Sequence, residues 1–252
     1  MRTKTLLIAA AALAVGIISS QAQVYSQNVV GYANIPLLGN LKYNAVANPF
    51  SIGVSNGINE VYTGLPNGSV VYIYDPVAGV YNTYGYDDSL GGDPRNWYTG
   101  GFDATIDAMP IVAPGLGTFV VLPVGSLNMT NNFHGQVAVL VGATNTAAYT
   151  QGAYAFAGSV IPFEGQPDIA TNINLIMPNG SLLYQWDPVN TAFIISGYDA
   201  SYQDHANNWF TGGFDADLDN PPLLKVGESF FIVPGGFVGT GTYDWSQTLR
   251  LP

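Results

Sequence analysis

Leu65-Pro66-Asn67-Gly68-Ser69-Val70-Val71-Tyr72-Ile73-Tyr74-Asp75-Pro76-Val77 returns 112 residues later as Met177-Pro178-Asn179-Gly180-Ser181-Leu182-Leu183-Tyr184-Gln185-Trp186-Asp187-Pro188-Val189. Asn96-Trp97-Tyr98-Thr99-Gly100-Gly101-Phe102-Asp103-Ala104 returns as Asn208-Trp209-Phe210-Thr211-Gly212-Gly213-Phe214-Asp215-Ala216 at the same offset. From Leu65 to Val121 the match runs without a gap, and 25 of its 57 positions are identical. That agreement marks a duplication. Its period lies far beyond the roughly 20–50 residues of a solenoid unit and is the size of a small domain. Further upstream, Asn44–Asn48 aligns with Tyr154–Gly158 at an offset of 110. Two tandem domains are expected, 23–143 and 144–252, joined in the stretch Gly142–Thr146.

Within each unit, short apolar segments alternate with clusters of Gly, Pro, Asn and Asp, the pattern of an all-β domain. The expected strands of the first unit are Val29–Ile35, Tyr43–Ala47, Val70–Tyr74, Val80–Tyr84 and Thr118–Leu122. Their counterparts are Val137–Val141, Ala153–Ala157, Leu182–Trp186, Phe193–Ser196 and Phe230–Val233. The fold class is therefore all-β (mainly β): two tandem homologous β-sandwich or β-barrel-like domains. Each has room for one short helix, Gly57–Leu65 capped by Asn56 and Ile169–Ile176 capped by Asp168. Alternation along the last strand of each unit predicts that Phe119, Val121, Phe231 and Val233 point into the domain cores.

The opening MRTKTLLIAAAALAVGIISSQA has basic Arg2 and Lys4, an apolar run Leu6–Ile18 and a small-x-small end, the marks of a signal peptide over 1–22. The run is shorter than the ~18–20 residues of a membrane span. The protein is expected to be exported, to the periplasm, the cell surface or the medium, with no transmembrane segment in the mature chain. There is no cysteine, so no disulfide supports either unit. Beyond residue 22 the cations are Lys42, Arg95, Lys225 and Arg250, against 17 carboxylates in the whole chain. Such a surface excludes nucleic acid as a partner, because phosphate binding needs clustered Lys and Arg.

The loops Tyr86–Met109 and Tyr198–Pro221 carry what chemistry the sequence offers. Asp87, Asp103 and Asp107 recur as Asp199, Asp215 and Asp219, and hard oxygens on loops suit calcium. Closure of turns by Asp side chains explains the same residues without an ion. Asn96, Trp97 and Tyr98 recur as Asn208, Trp209 and Phe210. Aromatic rings beside amides and carboxylates could stack on a sugar; the same indoles also read as core anchors beneath their loops, and that reading is preferred. Catalysis has little material, since His134 and His205 are the only histidines, neither is repeated, and there is no cysteine. Of the three sequons, at Asn67, Asn128 and Asn179, the first and third are repeat-equivalent Asn-Gly turns, whose turn chemistry explains them without glycosylation.

The mature start Val24-Tyr25-Ser26-Gln27-Asn28-Val29-Val30-Gly31-Tyr32 resembles the opening of a group of exported proteins from Verrucomicrobia-like bacteria. Ala47-Asn48-Pro49, the Leu65-Pro66-Asn67-Gly68 turn and the Gly-opened, Phe-bearing strands Gly115–Phe119 and Gly227–Phe231 are similar to the pattern of that group. The resemblance implies an exported, duplicated β-rich protein and brings no activity with it. The expectation for function is a non-enzymatic structural or ligand-binding role at the cell surface or outside the cell, with a glycan or other surface polymer as partner. The alternative is a carbohydrate-active enzyme or its accessory module.

Overall fold

The structure, a computed structural model, describes residues 29–90, 95–171, 173–201, 207–217 and 220–250. The leader expected at 1–22 lies outside the described residues. In chain order the first repeat carries β1 (Val30–Leu37), β2 (Tyr43–Ala47), β3 (Phe50–Ser51), helix α1 (Ile58–Val61), β4 (Ser69–Asp75), β5 (Val80–Tyr86), β6 (Trp97–Thr99), β7 (Ala104–Thr105), β8 (Gly117–Val121) and β9 (Met129–Val137). The second carries β10 (Thr144–Thr150), β11 (Ala155–Gly158), β12 (Ser181–Asp187), β13 (Ala192–Tyr198), β14 (Trp209–Thr211), β15 (Ala216–Asp217), β16 (Ser229–Val233), a 3-10 turn Gly236–Val238 and β17 (Thr242–Thr248).

Two six-stranded antiparallel sheets result, ordered β2-β8-β4-β5-β6-β7 and β11-β16-β12-β13-β14-β15. Their registers correspond: Ser69 faces Tyr86 as Ser181 faces Tyr198, and Asp75 faces Val80 as Asp187 faces Ala192. A separate ribbon accompanies each sheet, β1-β9-β3 in the first repeat and β10-β17 in the second. Ala45 lies opposite Phe119, and Phe156 opposite Phe231, so β11 replaces β2 at an offset of 111 rather than 110. That single residue decides which side chains share a face.

Each sheet has two covered faces over part of its area. One face of the first sheet, with Val46, Val71, Trp97 and Val120, joins Phe133 and Val137 of β9 and Ile58 of α1 in the main core. Val160, Ile161 and Leu249 belong to this same cluster, so packing continues across the expected boundary near 142–146. In the second repeat Leu183, Trp209, Phe230 and Ile232 pack with Tyr243 and Trp245 of β17. On the opposite faces, Phe119, Phe156 and Phe231 form a third cluster with Tyr72, Tyr74, Tyr184 and Trp186. Phe119 and Phe231 thus face away from the domain cores they were expected to fill. A strand buried on both sides is apolar throughout, and alternation alone does not say which side meets which layer. Val121 and Val233 are buried as well.

The two sheets are stitched by reciprocal contacts. Val46 bridges to Glu228 and Leu116 to Ala157, while the Ala47 amide donates to the Gly227 carbonyl (2.9 Å) and the Gly158 amide to the Gly115 carbonyl (2.8 Å). Under the repeat these contacts exchange, as they do in a two-fold symmetric dimer. Gly158 is required at the crossing because a Cβ there would collide with the Ala47 methyl.

Three local expectations are corrected. The segment Val137–Val141 is not a strand: β9 ends at Val137 and β10 begins at Thr144. Helix α1 covers only Ile58–Val61 and is capped by Gly57, whose amide is bound by the Glu60 carboxylate at 2.9 Å. Asn56 sits outside it at φ 56°, with its side chain accepting from the Ile52 amide. Among the described residues of Ile169–Ile176 there is no helix. There the Ile173 carbonyl accepts from Trp245 Nε1 and Gln247 Nε2, and Asn174, at φ 54°, donates from its side chain to the Ser246 carbonyl. Bonds to β17 replace the helical ladder.

Candidate functional site

The described parts of the loops that the sequence singled out fold as extensions of the sheets. After Asn96 and Asn208 the chain enters β6 and β14, which bury Trp97 (1 % exposed) and Trp209 (0 %) against Tyr86 and Tyr198. Tyr98 and Phe210 are buried too. Each loop then turns back through two left-handed glycines, and Gly101 and Gly213 bridge to Tyr84 and Ser196. Gly85 and Gly197 have no side chain because that returning backbone occupies the space of a Cβ. A sugar ring has no indole face to stack on here. Trp97 and Trp209 are core anchors, the reading preferred from the sequence, and their buried indoles leave no stacking role. Asn208 donates to Asp168 at 3.3 Å, while Asn96 takes a left-handed backbone at the entry to β6.

Two carboxylates of these loops are engaged locally, and three further aspartates are bonded through their main chain. Asp87 accepts from the amide and hydroxyl of Ser89, and Asp199 from those of Ser201. The Asp103 and Asp215 amides close turns onto the Thr99 and Thr211 carbonyls, and the Asp107 carbonyl accepts from Arg95. Asp219 lies outside the described residues. Among the described residues no three acidic or histidine side chains come together as a ligand group for a metal, so Asp87, Asp103 and Asp107 are not gathered into one set, nor are Asp199 and Asp215 with any third ligand.

The open aromatic surface lies instead where the two sheets meet. Side chains at alternate positions share a strand face, and here that face carries Tyr43, Tyr72, Tyr74, Tyr81 and Phe119 from the first repeat. Tyr154, Tyr184, Trp186, Phe193 and Phe231 come from the second. Two adjoining pockets result. The first, about 310 Å³, is walled by Tyr43, Tyr72, Tyr81, Phe119, Trp186 and Phe193, with Thr83. The second, about 270 Å³, is walled by Tyr154, Tyr184, Phe193, Phe231, Tyr74 and Tyr81. Exchanging each aromatic residue of the first for its repeat partner gives the second. The ring geometry repeats as well: Tyr74–Tyr81 centroids are 5.2 Å apart and Trp186–Phe193 5.0 Å, and Tyr43–Phe119 and Tyr154–Phe231 pack edge-on at 5.8 and 6.0 Å.

Tyr43, Tyr81, Tyr154 and Phe193 are each about two-fifths exposed, so the rings are open to a ligand. Burial, and then the neighbouring Tyr43 hydroxyl, push Tyr72 up to about 12; burial and Tyr154 do the same for Tyr184. Tyr81 is pushed to about 12 by burial and by Tyr74. These hydroxyls stay protonated at any ordinary pH, leaving neutral groups that both donate and accept. The Trp186 indole N–H already donates to the Tyr43 carbonyl at 2.7 Å. The signal that could have found this cleft was in the repeat: Tyr72, Tyr74 and Tyr81 at alternate strand positions return as Tyr184, Trp186 and Phe193.

No family model, curated protein or solved structure matches this chain.

Proposed function

We propose that the protein is an exported, non-enzymatic binding protein acting at the cell surface or outside the cell, and that the aromatic cleft holds a neutral glycan. The observation that carries this reading is the doubled hexad of aromatic rings, open to solvent and lined by no charged side chain. Aromatic faces pack against the C–H faces of pyranose rings, and tyrosine hydroxyls exchange hydrogen bonds with sugar hydroxyls. Proline-rich peptides also use aromatic grooves, but the Trp186 indole N–H, already paired with the Tyr43 carbonyl, is not free to bind their carbonyls.

A glycan array and calorimetry with the mature chain, run in calcium and in EDTA, test the proposal. Tyr81 and Phe193 each wall both pockets, so Tyr81→Ala with Phe193→Ala should weaken binding at least tenfold, about 1.4 kcal/mol. Absence of binding to any neutral glycan, or preference for a proline-rich peptide, would overturn it. Release of new reducing ends from the bound glycan would turn the reading to a carbohydrate-active enzyme. A calcium requirement would bring the loop carboxylates into the site.

A further inference from the structure

The two ends of the aromatic cleft differ. Beyond Tyr74 and Tyr154 lies a cavity of about 240 Å³ against Val77, Leu116 and β10, with no charged residue in its wall. Beyond Trp186 lies its counterpart, about 380 Å³, whose wall includes Asn34, Glu164, Lys225 and Glu228. The repeat places Leu116 opposite Glu228 and Ala113 opposite Lys225, so these two charged groups are present in one copy alone. Charged residues make up 9 % of this chain, and it has only three glutamates. Two of them sit in this one cavity.

We infer that this polar cavity is the subsite for the terminal ring of the glycan, so that the cleft receives its ligand in one direction. The inference rests on the glycan reading of the cleft. Trp186 belongs to both the aromatic hexad and the polar cavity, so a chain stacked in the first continues into the second. Glu228 is held in place, its carboxylate accepting from the Lys225 amide at 2.9 Å and from Gln185 Nε2 at 3.0 Å. A carboxylate only accepts and an ammonium only donates. Neighbouring sugar hydroxyls can satisfy both at once while remaining neutral, and a chain end presents more free hydroxyls than an internal ring.

The test uses the mature chain and neutral hexasaccharides of β-1,4-glucan, β-1,3-glucan and β-1,4-mannan. The Glu164 and Lys225 side chains are exposed, so Glu164→Gln with Lys225→Ala should leave the melting temperature unchanged. That variant should lose at least tenfold in affinity for the bound hexasaccharide, while Val77→Ala at the opposite end loses less than twofold. Unchanged affinity in the double variant, or equal losses at the two ends, overturns the directional subsite and leaves the cleft standing. If the unaltered chain binds none of the three probes and no other neutral glycan, both readings fall together.

Discussion

In the first repeat, the layer over the sheet carries helix α1, and Tyr62 just after it hydrogen-bonds to Thr118 of β8. In the second, Phe230 stands at the position of Thr118, Trp245 stands at that of Phe133, and a non-helical segment is tied to β17 through Ile173 and Asn174. The sheets beneath keep their strand order and register. The comparison teaches that strand pairing and the Trp turns define this unit, whereas the covering layer can be rebuilt provided its volume is filled and its backbone groups are bonded.

The largest effect should come from the shared anchors. Trp97→Ala and Trp209→Ala are each expected to cost ~3–5 kcal/mol, read by urea unfolding. Because Val160, Ile161 and Leu249 pack in the first core, either substitution should shift one common transition. Two separated transitions would show that the repeats unfold independently and would break the comparison.

A smaller effect is expected at the hairpin tips, where Gly79 (φ 68°) and Thr191 (φ 53°) occupy equivalent left-handed positions. A β-branched residue is strained there. Gly79→Thr should cost ~1–2 kcal/mol. Thr191→Gly should stabilise by less, because glycine is also freer in the unfolded chain. Opposite signs in the two repeats are the point of the measurement.

Next comes Tyr98, whose buried hydroxyl has no partner, while the second repeat has Phe210 in its place. Tyr98→Phe should raise stability by about 1 kcal/mol; a loss of stability would mean that the hydroxyl is bonded in solution. The smallest effect belongs to Glu60. Amides of Val54, Gly57 and Ser55 hold its carboxylate down to about 2 from 4.5. The folded chain therefore binds this proton more weakly than the unfolded one, so the contribution is whole above pH 4.5 and fades as the pH falls towards 2. The stability difference between the unaltered chain and Glu60→Gln should shrink over that window, and a difference independent of pH would refute it.

The all-β class and most central strands were legible because Val70–Tyr74 and its copy alternate between turns with strong Asp-Pro and Asn-Gly signals. β9 was missed because Asn131 and Gly135 take inward positions between Met129, Phe133 and Val137 and break the apolar alternation. The helix expected at Ile169–Ile176 failed because partners from β17, more than 60 residues away, claim its backbone. The open aromatic face went unread for a related reason. Trp draws notice wherever it occurs, but local sequence does not reveal burial, and the tyrosines that stay open owe their position to the second sheet. Asp87 and Asp199 show the same limit: a carboxylate closing its own turn and one awaiting an ion have the same sequence.

The bonds from Ala47 to Gly227 and from Gly158 to Gly115 also have a consequence in time. Long-range pairing is reached late, because loop closure must precede it. A chain emerging from its N-terminus can complete the first sheet before Gly227 exists, yet it has no cleft until β16 arrives. The aromatic faces of the first sheet must therefore wait uncovered while the rest of the chain is made. The four tyrosines of that face, Tyr43, Tyr72, Tyr74 and Tyr81, then matter in a second way: their hydroxyls keep the waiting face wetted where leucine or phenylalanine would invite another chain to close over it.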